Sequence, residues 1–380
     1  MNRILLGTVA LLCGLCASVA WAAGEEDWDT SRVRLLGHDW ERLYKPGRKK
    51  AEFGERFMHR GTVHGDQMII SGGYNMHDMY LGDVWASEDG TDWKCLTEKA
   101  PWSERFAHGL VSLDGTLYLM GGFDGELRND VWKSADGADW ELVTESAGWS
   151  PRSHFQALVH NGAIFVMGGK GMPERYADVW TSTDGAEWEL LNANAWPARS
   201  HFGAVSHNGE IVILGGGYYS FQLNYHFYHR DTWSSPDGKE WTLLNSNLPM
   251  RRRVLMEMVS VGPYIYAIGG DDKPWYTYMR RDAWVSPDGV DWMKLREKGN
   301  LGQRSRLDWE TRIDHVLLAK DDAIYLIGGH STYSGTFQVS DRFGYWTTAN
   351  VWKTTGVHHP NFVPEYGPED EKDEELETSD

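Results

Sequence analysis

The chain has 380 residues, 41% of them hydrophobic and 13% aromatic, with 55 acidic against 37 basic side chains and a net charge of −18. That is enough apolar material for a substantial core, while three cysteines, two of them within the first 16 residues, exclude a disulfide framework. No phosphate-cradling glycine loop, nucleophile elbow or nucleic-acid motif is present, and no nucleic-acid partner is expected.

At the N-terminus, Asn2 and Arg3 give a short positive start, Ile4 to Ala20 is almost wholly apolar, and Ala20-Trp21-Ala22 supplies small residues for processing. Residues 1–22 read as a signal peptide cleaved after Ala22, which places the protein in the periplasm or outside the cell. A retained anchor is the alternative, but the run is short for a span and no second one follows, so no membrane span is expected after processing. Processing leaves Cys95 alone, expected as a buried, inert thiol.

The rest of the chain repeats itself. A Gly-Gly pair ends an apolar run six times, at Gly72, Gly121, Gly168, Gly215, Gly269 and Gly328, with spacings of 49, 47, 47, 54 and 59 residues. After each pair comes an Asx-x-Trp, beginning at Asp83, Asp130, Asp178, Asp231, Asp282 and Asn350. Five repeats continue with Asp-Gly and a second tryptophan: Trp93, Trp140, Trp188, Trp241 and Trp292. Each unit reads as four short strands, a to d, with hairpin chemistry such as Asn161-Gly162 between a and b and Asp184-Gly185 between c and d. The sixth unit lacks strand d, and His38-Asp39-Trp40-Glu41-Arg42-Leu43 matches Thr91-Asp92-Trp93-Lys94-Cys95-Leu96. The N-terminal strand is therefore expected to complete the last blade of an all-β, six-bladed propeller spanning residues 33–357. Residues 365–380, with nine acids and one lysine, read as a disordered tail.

The di-glycine followed by two spaced aromatics resembles the kelch repeat, and the resemblance covers nearly the whole processed chain. The tyrosine that the family carries between the glycines and the aromatic is irregular here. The Ser-x-Asp-Gly-x-x-Trp segment is similar to the Asp-box of sialidases but one residue shorter, and no sialidase chemistry is carried over. A copper site of the kind found in one kelch-containing oxidase requires a cysteine-linked tyrosine; Cys95 falls on strand d, so no cofactor is expected.

Strand order fixes two unlike faces. The short a–b and c–d turns share one face; the long b–c and d–a loops share the other, where function tends to reside. On that second face an arginine precedes the first glycine of every pair by 16 residues: Arg56, Arg105, Arg152, Arg199, Arg253 and Arg312. The resemblance implies contacts with acidic ligands at this position. Sixfold repetition favours arginines that bond acids or carbonyls within the ring, since a ligand rarely has sixfold symmetry, with two or three of the six left to bind a ligand. The apolar residues three positions earlier read as plugs between blades.

The irregular loops add Tyr219, His226, Tyr228, Trp275, Arg280 and Trp346 as candidate ligand contacts, aromatics for stacking and arginine for oxyanions. The alternative is that these loops pack on one another as a lid. His77, His226, His229 and His330 show no metal-ligand spacing, so no metal is expected. His154 and His201 share one register of strand a, and His59, His108 and His315 the next, which reads as structural repetition. The expectation is a monomeric binding protein for an anionic glycan or an acidic polypeptide segment. A carbohydrate-active enzyme, a mutarotase or epimerase of an acidic sugar, is the alternative, drawing its acid and base from Asp271, Asp272, Glu257, Asp308 and Glu310. A third possibility is an assembly protein that recruits its partner through the acidic tail.

Overall fold

The computed structural model describes residues 40–43, 50–77, 79–220, 225–272, 279–295, 311–332 and 345–354. The leader, the acidic tail, Trp275, Asp308, Glu310 and the arginines at 304 and 306 lie outside them. Strands and turns make up the described residues, in six antiparallel four-stranded sheets and two small hairpins.

Blade one runs Arg60–His64, Gln67–Asn75, Met79–Ser87 and Lys94–Thr97, each strand pairing with the next. Blades two to five repeat this order, with strands a at Gly109–Leu113, Gln156–His160, Gly203–His207 and Glu257–Val261. Blade six takes three strands, Val316–Lys320, Ala323–Ile327 and Val351–Thr354, from the end of the ring and its fourth, Trp40–Leu43, from the beginning. The N-terminal strand pairs antiparallel with the last, Trp40 opposite Thr354 and Leu43 opposite Val351, as the sequence match at Trp40 predicts. Strand a of each blade contacts that of the next, and the sixth contacts the first, so the ring is closed. The pairing of Trp40–Leu43 with the last strand covers the edge of Val351–Thr354 and ties the two ends of the ring together.

The core lies between blades. Strand b is the most buried element, with Ile164, Val166, Met167, Ile211 and Ile213 at 0–1% exposure. In five blades the c–d turn is held the same way. The Ser87-type hydroxyl accepts from the Gly90-type N–H at 2.8 Å, and the Trp93-type indole donates to that glycine's carbonyl at 2.9–3.0 Å. This explains the repeated Ser-x-Asp-Gly-x-x-Trp segment. Cys95 sits half-buried on the edge strand opposite Trp85, and burial, with help from Asp83 and Glu98, raises its thiol pKa, consistent with an inert thiol.

The di-glycines have a steric cause. Gly72 has φ +55°, and a Cβ there would lie 2.6 Å from the Arg105 carbonyl oxygen of the next blade. The second glycine of each pair donates to that same carbonyl at 2.9–3.0 Å, all the way around to Gly329 on Arg56. Only glycine allows so close an approach of two backbones.

Candidate functional site

The ring arginines start strand a on the face where strand b ends. In each blade the guanidinium donates to the carbonyl of the first glycine of its own pair, at 2.7–3.1 Å. In five blades it also grips the Asx-x-Trp aspartate with two bonds of 2.6–3.0 Å, as in Arg152 with Asp178. The strand-c indole donates to the same carboxylate at 2.7–2.9 Å. In blade six, where Asn350 replaces the aspartate, Arg312 donates to Thr348 Oγ1 at 3.1 Å. All six arginines are at most 2% exposed. Burial opposes ionisation of Asp282, but Arg253 outweighs it and holds that pKa down to about 2. Of the two readings open for Arg56, Arg105, Arg152, Arg199, Arg253 and Arg312, this geometry favours the structural one: every guanidinium bonds its own blade's di-glycine carbonyl, and five of the six also grip an aspartate. The plugs before them, Phe53, Trp102, Trp149, Trp196 and Met250, are at most 5% exposed.

Two residues after each arginine lies a second ring that the sequence does not announce. Met58, Ala107, His154, His201, Leu255 and Asp314 all have φ between +52° and +61°, a region unfavourable for residues with a Cβ. Each donates its backbone N–H to the carbonyl of its counterpart one blade back, at 2.8–3.4 Å, and Met58 closes the cycle on Asp314. One residue from every blade in a closed cycle must encircle the propeller axis. At ~5 Å between hydrogen-bonded neighbours, opposite members stand about 10 Å apart. One layer below, Arg60 of blade one donates to Glu257 of blade five at 2.8 Å. These blades are not neighbours, so the ion pair crosses the channel in front of blade six.

Around this mouth the residues fall into three arcs. Over blades one and two the side chains are aromatic: Phe57 meets Tyr74 at 5.3 Å, Tyr74 meets Phe106 at 5.8 Å, and Tyr80 meets Phe106 at 5.6 Å and Phe123 at 6.2 Å.

Over blades three and four the mouth is cationic. Phe106 meets His154 edge-on at 6.0 Å, and the His154 and His201 rings lie 4.0 Å apart. Each imidazole Nδ1 is bonded to the preceding serine, Ser153 or Ser200, but His154 Nε2 is buried with no hydrogen-bond partner. Beside them, blade three extends past its di-glycine so that Lys170 pairs with Arg175 across the two strands. Ser153, next to His154, is bridged to Lys170. Arg175 bonds only backbone carbonyls, of Gly171, Pro173 and Glu174, and neither cation has an ion pair among the described residues. Burial, then Arg175, lowers the Lys170 pKa; burial lowers that of Arg175.

Over blades five and six the mouth is acidic. Asp271 is 2% exposed. Asp272 accepts from Arg280 and lies 4.0 Å from Arg251. Burial pushes the Asp314 carboxyl up to about 7, with Arg60 opposing and Glu257 and Asp271 reinforcing the shift; its Oδ2 has no hydrogen-bond partner. Asp314, in blade six, stands diametrically across the ring from His154, in blade three.

The remaining candidates are spread over the same face. Gly217–Ser220 and Tyr225–Tyr228 form a hairpin directly after the blade-four di-glycine, with Tyr219 opposite His226 in its backbone register. Arginine starts and this insertion therefore share one side, since Arg199 bonds Gly215 and Ser200 bridges to Gly217. Tyr218 stacks on Phe227 at 4.9 Å. Tyr228 packs on Val254, Leu255, Met279 and Ile313, and burial, then Asp271 and Asp272, raises its pKa. Trp346 lies opposite Ser331 in a second hairpin, His330–Thr332 with Tyr345–Thr347. Arg280 is 31% exposed and committed in part to Asp272.

Sequence reasoning singled out neither the aromatic arc nor Lys170, Arg175 and Asp314. It read His154 and His201 as structural. The signal was in the repeat itself: two residues past each arginine, six blades carry five different residue types. Among the described residues no group of three His, Cys, Asp or Glu can hold a metal ion, and no helix is long and apolar enough to cross a membrane. A scan against protein-family models finds no match for this chain, and a search of curated proteins finds none either.

Proposed function

We propose that this is an exported binding protein that captures an anionic ligand, in the first place an acidic glycan, at the channel mouth over blades one to four. The observation that carries the reading is the Lys170–Arg175 pair. Like charges directly opposite one another across two strands are destabilising, and this pair sits without a carboxylate partner among the described residues beside the aromatic arc. Aromatic faces suit sugar rings, and a cation pair suits a carboxylate or sulfate on the same ligand. Acidic polypeptide segments are the competing ligand. The di-glycine and paired tryptophans support reading the repeat as kelch, and the leader supports export. A panel of acidic and neutral oligosaccharides and acidic peptides, titrated at rising ionic strength, tests this. Acidic glycans are expected to bind with salt-sensitive affinity; equal binding of neutral sugars would sink the reading.

A second reading, a mutarotase or epimerase of an acidic sugar, is favoured by Asp314. It is a buried carboxyl with one oxygen unpaired, poised near neutrality, at the ring position opposite His154. Anomer exchange of an acidic sugar, followed by NMR, is then faster with the native protein than with Asp314→Asn; equal rates would remove this reading.

A further inference from the structure

Two imidazoles in contact at the rim of a channel are an unusual use of a position that elsewhere in the ring holds Met58, Ala107, Leu255 and Asp314. We infer that anion capture at the channel mouth is coupled to the uptake of one proton by the His154–His201 pair, so that the affinity of this protein for an oxyanion rises as pH falls. This inference rests on the anion reading of the same site and adds its regulation.

The geometry supplies the coupling. His154 is 8% exposed, its Nε2 has no partner, and Phe106 closes one side of it. Its ring contacts that of His201 at 4.0 Å, so only one of the two can hold an extra proton without a like charge in contact. The charges acting on His201 are Lys170, Arg175 and Arg60, all positive; His154 feels His201, Lys170, Arg60 and Arg175. The nearest carboxyl on the ring's far side is Asp314, itself burdened by Glu257 and Asp271. Burial comes first, and these cations second, in keeping both imidazoles neutral, His201 down to about 3. An oxyanion seated among Lys170, Arg175 and the imidazoles reverses the local field and gives the unpaired Nε2 an acceptor. A proton from solvent then occupies that nitrogen, and the bound anion gains a charged donor.

The sign follows from linkage. The pair's pKa is lower in the free protein than in the complex, so affinity climbs as pH falls through the bound-state value and levels off near the free-state value. The probe is inorganic sulfate, which keeps its charge throughout this range, with a galacturonate trimer as the glycan-borne counterpart. Calorimetric titration from pH 7.5 to 5, in buffers of different ionisation enthalpy, is expected to show affinity rising by up to about tenfold per pH unit with matching proton uptake. The double variant His154→Gln/His201→Gln should lose the pH dependence and the proton uptake, with weaker binding at low pH, and Asp314→Asn should keep both. Affinity without pH dependence, or a dependence that survives the histidine variant and vanishes in Asp314→Asn, would overturn the inference while leaving anion capture intact. If the double variant does not fold, the proton count of the native protein and the behaviour of Asp314→Asn decide. No binding of either probe at any pH would remove both this coupling and the anion site.

Discussion

Two sets of cations share one face of this propeller and differ in almost everything else. The ring arginines recur in every blade at fixed spacing, are fully buried, and in five blades are gripped by an aspartate that the same repeat supplies. Lys170 and Arg175 occur once, are half-buried, and face each other. In a repeat protein, what recurs holds the repeat together, and what breaks the recurrence is free for the ligand. In five blades the charge of the first set is cancelled by that aspartate; Lys170 and Arg175 have no such partner among the described residues and project a field that an anion can feel.

The largest expected effect is on stability. Arg152→Ala leaves the half-buried Asp178 without its partner and should cost about 3 kcal/mol, the low end of the range for breaking a buried pair, read as a lowered midpoint in chemical denaturation. Asp178→Ala should cost a similar amount. A loss below about 1 kcal/mol, the scale of an exposed pair, would erase the distinction between the two sets.

A smaller effect separates blades from one another. His315 occupies the interblade position held by Phe155 and Phe202 in blades three and four. Burial, aided by Arg312, depresses its pKa to about 3 in the folded chain, so protonation favours the unfolded one. Its contribution falls as pH drops from about 6.5 toward about 3, by up to about 1.4 kcal/mol per pH unit. His315→Phe should flatten the acid limb of the stability profile. Asp314 has the opposite sign. With a folded pKa of about 7 it favours the folded state at low pH and loses that contribution as pH rises from about 4 to 7. Asp314→Asn should therefore gain stability relative to the native protein at neutral pH and above.

The smallest stability effect belongs to the second set. Lys170→Gln, which removes a like-charge contact, should move the denaturation midpoint by the equivalent of about 0.5 kcal/mol or less, in the stabilising direction.

Much of the ring was legible before any coordinates. Di-glycines, Asp-Gly turns and paired tryptophans gave six units in phase, and Trp40-Glu41-Arg42 gave the closing strand, because each is a local backbone or packing requirement written at a fixed spacing. The partners of the arginines were visible as residues but not as partners. Asp83 and its equivalents lie 25 to 32 residues downstream of them, a distance that varies with the b–c loop. The mouth was hidden for the opposite reason. Phe106, His154, Lys170 and Asp314 come from three blades, and only ring closure brings them to one rim. Two histidines in one register looked like repetition, yet four other blades carry something else there.

The most direct test is the affinity of an acidic oligosaccharide, such as a galacturonate trimer, for the native protein and for Lys170→Glu/Arg175→Glu, measured at low salt alongside thermal melts. The expected result is at least tenfold weaker binding in the variant with an unchanged melting midpoint. Equal affinity in the two folded proteins would contradict it, and would return the search for a ligand to the hairpins of blades four and six.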